Sequence, residues 1–195
     1  MRRAADAEEG CGLDYVERRV GGEIKYKGVI VNVRLDEAEL INGRIVKREV
    51  VEHPGGVTVL PVDADGTVTL VRQFRYPFGR MMLEAPAGKL EYGEDPDEAA
   101  VRELSEETGY SAGRLLKLGA ICTSPGISSE VLHLYLALDL QAGKSHPDEN
   151  EFLYVVKMPL KELVALCMSG EVDDAKTLIA ALKAEKLLVG GNTGY

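Results

Sequence analysis

From Gly88 to Tyr110 the chain reads GKLEYGEDPDEAAVRELSEETGY, and no other stretch constrains the fold as much. It marks both ends of a helix. Asp95 suits the N-cap, Pro96 the first helical position, and Glu98 stands three residues after the cap, as in a capping box. Gly109 suits the C-terminal stop. Each step on a helix turns by about 100°. On that rule Leu104, Thr108 and Val101 all fall within about 100° on one side of Ala100, a stripe expected to face the core. Glu103, Glu106 and Glu107 fall on the other side of Ala100, so three carboxylates share an arc of about 100° beside that stripe. Like charges at these spacings destabilise a bare helix, by about 0.2–0.5 kcal/mol per pair. Bound cations explain such a cluster, and hard oxygen ligands suit Mg²⁺, which also takes phosphate oxygens. Arg102 sits four residues after Glu98 and four before Glu106, placed to pair with either and steady the cluster. An acidic run alone reads as a solvated helix face. Here the run is flanked by Gly88, Glu94 and Gly109. Gly88 reads either as a turn residue or as a point of close backbone approach.

Strand signals surround this helix. Tyr15–Arg19, Val29–Leu35 and Ile45–Glu52 are expected strands, the middle one with Val29, Val31 and Val33 on one face. Asn42-Gly43 is expected to turn between two of them. Val57–Val62 and Thr67–Gln73, joined by Asp63-Ala64-Asp65-Gly66, read as a hairpin, and Met82–Ala85 as a short strand. Further strands are expected near Leu115–Cys122, Val131–Leu140 and Phe152–Val156. Helices are expected from about Pro159 to Met168, stopped by Gly170, and from about Asp174 to Leu188. Runs of strands with a few helices between them indicate α+β, a mixed sheet with helices packed on it. Residues 1–52 read as an N-terminal antiparallel sheet extension and 53–195 as the main domain.

The chain has 195 residues and is 45% hydrophobic, enough for a real core. Its net charge of −9, from 32 acids and 23 bases, argues against nucleic-acid or anionic-membrane partners, which need basic surface. An anionic substrate would then need local cations. Cys11, Cys122 and Cys167 show no CxxC spacing, which argues against a zinc site or disulfide framework and suits reduced thiols in the cytoplasm. Arg2 and Arg3 precede no apolar stretch, so no secretory leader is expected, and no run of about 18 apolar residues suggests a membrane span. His53, His133 and His146 are scattered and read as structural or exposed.

The segment resembles the Nudix box: Gly88, Glu94, Arg102, Glu103, Leu104, Glu106, Glu107 and Gly109 all fall in place, with Tyr110 where an aliphatic residue is usual. Seven of these positions demand one residue type. At about 1 in 12 per position, a chance match is on the order of 10⁻⁷ to 10⁻⁸ at any one start. The resemblance implies a Nudix fold and a metal-dependent hydrolase. Glu103, Glu106, Glu107 and the Ala87 carbonyl would hold Mg²⁺, with Mn²⁺ as the alternative, and Gly88 would let backbone approach the metal–phosphate cluster. Glu94 and Arg102 would support the site.

The likeness is nearest to the ADP-ribose pyrophosphatase branch, which carries a proline a short way beyond the box, here Pro125 in Thr123-Ser124-Pro125-Gly126. It implies substrate contacts from Arg48, Glu49, Arg75 and Glu130. It also implies a catalytic glutamate in the Lys144–Glu151 stretch, Glu149 or else Glu151. The expected reaction cuts ADP-ribose into AMP and ribose 5-phosphate. The alternatives are another nucleoside diphosphate sugar such as GDP-mannose, or a non-catalytic module that senses a nucleotide sugar. Relatives swap N-terminal sheets, which implies a homodimer. The family often stacks adenine on an N-terminal aromatic. This chain has Val29, Ile30 and Gly43 near the matching positions, with Tyr26 and Tyr76 the nearest aromatics.

Overall fold

Hydrophobic alternation and well-placed turn residues account for most of the strands in the computed structural model, which describes residues 15–146 and 152–189. The chain divides into two compact units, Met1–His53 with Gly126–Ser128, and Pro54–Pro125 with Ser129–Tyr195.

The first unit is an antiparallel meander of β1 (Arg18–Lys27), β2 (Asn32–Glu39) and β3 (Ile45–Glu52). Asn42-Gly43 makes the expected β2–β3 turn: Gly43 is left-handed at φ 78°, and the Asn42 side chain accepts the Arg44 N–H at 3.1 Å. The expected first strand is corrected. It begins at Arg18 and runs through Gly21 and Gly22 with a register shift. Gly22 is left-handed at φ 129°, and a Cβ there would stand 2.6 Å from the Leu35 carbonyl oxygen. Val29 is also corrected. It lies in the β1–β2 connection, fully exposed, where the Gly28 N–H bonds the Val31 carbonyl at 2.9 Å. A turn needs no alternation, so that part of the pattern was coincidental. Among the described residues of this unit, Asp36 and Ala38 are the buried ones, and Asp36 is paired with Arg19 and Arg34.

The second unit contains β4 (Gly56–Pro61), β5 (Thr67–Arg75), a 3₁₀ turn at Tyr76–Phe78, β6 (Arg80–Glu84), β7 (Ala87–Lys89), α1 (Pro96–Thr108), β8 (Tyr110–Cys122), β9 (Val131–Ala142), β10 (Leu153–Pro159), α2 (Leu160–Ser169) and α3 (Ala175–Val189). One sheet has the order β7-β4-β9-β8, with β4 and β9 parallel and the other pairs antiparallel. The other, β10-β5-β6, is antiparallel throughout. The expected β4–β5 hairpin is corrected as well. Asp63–Gly66 turns as read, with Gly66 at φ 83°, but its two strands enter different sheets and share a single bridge, Val62 to Val68. Both edges of β4 are already taken, by β7 and β9.

The strand period of two assigns the faces of the mixed sheet. Val57, Val59, Tyr135 and Ala137 face Ala99, Ala100 and Leu104 of α1. Leu60, Leu134 and Leu136 face the larger core with Val68, Leu70, Leu163 and Ala181. The sheet thus lies between α1 and the α2–α3 layer, an α+β arrangement. Leu104 is 1% exposed, and truncating a leucine buried like this costs about 2–5 kcal/mol. That packing holds α1 against the strand that β7 flanks.

Candidate active site

The capping signals set the helix where expected. Asp95 accepts the Asp97 N–H at 2.8 Å, and Gly109 is left-handed at φ 74° with its N–H on the Ser105 carbonyl. Asp97 in the first turn accepts the Tyr135 hydroxyl at 2.5 Å and pairs with Lys117. These contacts tie the N-terminal turn of α1 to β8 and β9. The buried face of α1 differs from the one expected. It holds Ala99, Ala100, Glu103, Leu104 and Glu107, while Val101 is 55% exposed. Two carboxylates therefore belong to the inward face rather than flanking it. A helix angle alone does not show what the inward face meets. Here it meets the backbone of a strand, which takes polar groups.

That strand is β7. Val57 faces Gly88 and Thr58 faces Ala87 across the β4–β7 ladder. The Ala87 N–H donates to the Glu107 carboxylate at 3.0 Å. Gly88 is not a turn residue, since its φ is not left-handed. It is small because Glu103 leaves no room: a Cβ there would stand 1.8 Å from the nearer carboxylate oxygen. Two acids from α1 thus converge on two consecutive residues of β7.

Arg102 gathers the rest. It donates to Glu94 at 2.9 and 3.0 Å, to Glu103 at 2.7 Å and to Glu106 at 2.9 Å, and also to the Lys89 carbonyl at 3.3 Å. Of the two partners expected from helical spacing, Glu106 is engaged, while Glu94 from the preceding loop takes the place of Glu98. Arg102 holds the Glu94 carboxyl below the usual range, and the Glu91 N–H adds to this. In return the guanidinium is held more firmly protonated, first by Glu94 and then by Glu103 and Glu106. Among the described residues no three carboxylate, imidazole or thiol groups form a ready ligand set. Arg102 is the positive charge among these acids.

A second charged group borders this one and was not read from the sequence. Glu84, at the end of β6, is 1% exposed. Arg75 clasps it through two hydrogen bonds, at 2.7 and 2.6 Å, and Lys176 of α3 also pairs with it. Burial pushes the Glu84 carboxyl up, but Arg75 and Lys176 outweigh it and hold the group below the usual range. Arg75 also feels the charge of Glu107. A lone glutamate on a short strand carries no sequence signal, and its importance comes from two cations brought from β5 and α3.

The other expected site residues are spread out. Pro125 lies in the β8–β9 loop, across which the Thr123 hydroxyl donates to Glu130 at 2.6 Å. Arg48 and Glu49 are on β3 of the first unit, where Arg48 makes two hydrogen bonds to Glu17, at 2.8 and 2.7 Å. Tyr26 and Tyr76 are 60% and 89% exposed. Glu149 and Glu151 lie outside the described residues. The chain just before them is docked on α1: the His146 N–H bonds the Glu106 carbonyl at 2.9 Å, and the Gly143 N–H bonds that of Gly109 at 2.7 Å.

Comparison with known proteins agrees with this geometry. The NUDIX domain family matches residues 52–182. The ADP-ribose pyrophosphatase of Bacillus subtilis is 43% identical over 180 residues, covering 87% of this chain and 97% of that protein. The methanol dehydrogenase activator of Bacillus methanolicus is 38% identical over 171 residues, covering 87% and 92%. A crystal structure of an ADP compounds hydrolase superposes with a TM-score of 0.80 at 25% identity, covering 93% of this chain and 98% of that one. With the acids of α1 gathered on Ala87 and Gly88, and the family match spanning two thirds of its length, this chain belongs to the Nudix family.

Proposed function

We propose that the chain hydrolyses the pyrophosphate of ADP-ribose, giving AMP and ribose 5-phosphate, with Mg²⁺ or Mn²⁺ as the required cation. The observation that carries this reading is the convergence of Glu103 and Glu107 on Gly88 and Ala87, with Glu106 one helical turn from Glu103. The donor set fits a hard divalent ion, being carboxylates packed so closely on the backbone that a Cβ at Gly88 would collide with Glu103. Glu103, Glu106, Glu107 and the Ala87 carbonyl would hold the cation, which supplies neutralisation of the pyrophosphate and a more acidic attacking water.

The protein's own groups do the rest. Arg102, anchored by Glu94, orients Glu103 and Glu106. Arg75 retains N–H donors beyond the two that Glu84 engages, and these would take a phosphate oxygen. Glu149 would accept the proton from water, with Glu151 as the alternative. Arg48, Glu49 and Glu130 would contact substrate, and Pro125 would shape the loop that carries Glu130.

A homodimer in the cytoplasm belongs to the same reading. A three-stranded sheet needs a covered face for stability, yet the described first unit buries little and exposes Val20, Ile24 and Tyr26 along β1. The N-terminal extension would find that cover in a second copy. No described helix is long and apolar enough to cross a membrane.

The test is a panel of ADP-ribose, GDP-mannose, other nucleoside diphosphate sugars and diadenosine polyphosphates with Mg²⁺. ADP-ribose should show the highest kcat/KM. A higher value for GDP-mannose would move the substrate assignment while leaving the chemistry. No turnover of any member, with tight binding of one, would favour a sensing module.

A further inference from the structure

The first turn of α3 lies outside the acidic segment, yet it holds the strand link that enters the site. Thr177 is fully buried, and its hydroxyl accepts the Ala85 N–H at 2.7 Å. The same hydroxyl donates to Asp174. Asp174 accepts the Thr177 N–H at 3.0 Å as a helix cap, and the Lys176 ammonium at 2.9 Å. Lys176 in turn pairs with Glu84, one residue before Ala85. A hydroxyl has one proton to give and lone pairs to receive. With Asp174 taking the proton, a lone pair is committed to Ala85. Two residues on, Ala87 would offer its carbonyl to the cation. The link between is pinned at each step: the Pro86 carbonyl accepts the Val59 N–H at 2.9 Å, and Glu107 takes the Ala87 N–H at 3.0 Å. The Ala85 anchor comes from α3, beyond the acidic segment.

We propose that Thr177, oriented by Asp174, is a positioning residue of the hydrolytic site, fixing the backbone that presents the Ala87 carbonyl to the cation. This rests on the reading of Ala87 as a ligand. Losing the Thr177 hydroxyl leaves a buried N–H unpaired, which is costly. With that anchor gone, the hydrogen bonds at Pro86 and Ala87 alone hold the link, and the Ala87 carbonyl is fixed less closely. Groups that orient metal ligands from behind typically govern 10–100-fold in affinity or activity.

The experiment measures Mn²⁺ binding by the full chain without substrate, by electron paramagnetic resonance, together with kcat, KM and Tm. Thr177→Val keeps the shape and deletes the hydroxyl. It should weaken Mn²⁺ binding by about tenfold or more and lower kcat more than it changes KM, and Thr177→Ser should restore both. Binding by Thr177→Val within about twofold of wild type, well below that range, overturns the proposal whatever happens to Tm. If Thr177→Val does not yield folded protein, Asp174→Asn decides by the same criterion, since it loosens the hydroxyl without removing it. A wild-type chain that binds no Mn²⁺ refutes the metal reading itself, and this proposal with it.

Discussion

Gly88→Ala adds one methyl group at the centre of the site, and its effect can be worked from the geometry. The new Cβ would stand 1.8 Å from one Glu103 oxygen, 1.9 Å from its carboxylate carbon and 2.3 Å from the other oxygen, whereas ordinary contact begins at 3.4 Å. The carboxylate must therefore retreat until the 1.8 Å gap has opened to 3.4 Å. It has little room, since the residue is 7% exposed and Arg102 holds it at 2.7 Å. A misplacement of about 1 Å costs on the order of 10²-fold in rate, or about 2.7 kcal/mol in the barrier. Folding should suffer less. Gly88 does not have a left-handed φ, so alanine adopts its backbone, and such a change gains about 0.4–1 kcal/mol from the unfolded chain, against the strain at Glu103. The assay is kcat on ADP-ribose in saturating Mg²⁺, beside a melting curve. We expect kcat to fall about 10²-fold with a near-normal Tm. Turnover within threefold of wild type would show that the Glu103 carboxylate is not needed where the structure places it.

Three further outcomes are expected. Glu106→Gln and Glu107→Gln should each lower turnover by at least about tenfold; wild-type turnover in both would remove the acids from the chemistry. Glu84→Gln should change the acid limb of stability. The Glu84 carboxyl is held below its ordinary value of 4.5, so its stabilisation is complete above that pH and is lost as pH falls through the lower, folded value. The variant should therefore melt lower near neutrality but lose less Tm than wild type below about pH 4.5, and parallel Tm curves in acid would contradict the ion-pair account. Glu149→Gln should lower kcat about 10²–10⁴-fold with KM nearly unchanged. A fall below about fivefold, well under that range, would pass the role to Glu151 or dispense with a base.

Features that obey local rules were legible in the amino-acid order. The cap at Asp95, the stop at Gly109, the Asn42-Gly43 turn and the α1 acids all follow from residues within a few positions of one another. Such signals stay readable because a turn or cap does not need the rest of the chain. The family's box has the same character, since its residues come largely from one helix and the segment before it.

Which groups meet across long separations depended on the folded chain. Spacing on a helix placed Glu103 and Glu107 beside the core stripe; the fold set them within it, because the surface they meet is β7 backbone rather than side chains. A turn signal joined β4 to β5, but β7 and β9 fill both edges of β4 and send β5 to another sheet. Glu84 carried no signal at all. It became a fixed point of the site when β5 delivered Arg75 and α3, some 92 residues away, delivered Lys176. A buried carboxylate is tolerated only with partners in place, and partners that far apart in sequence are chosen by the packing of the whole sheet.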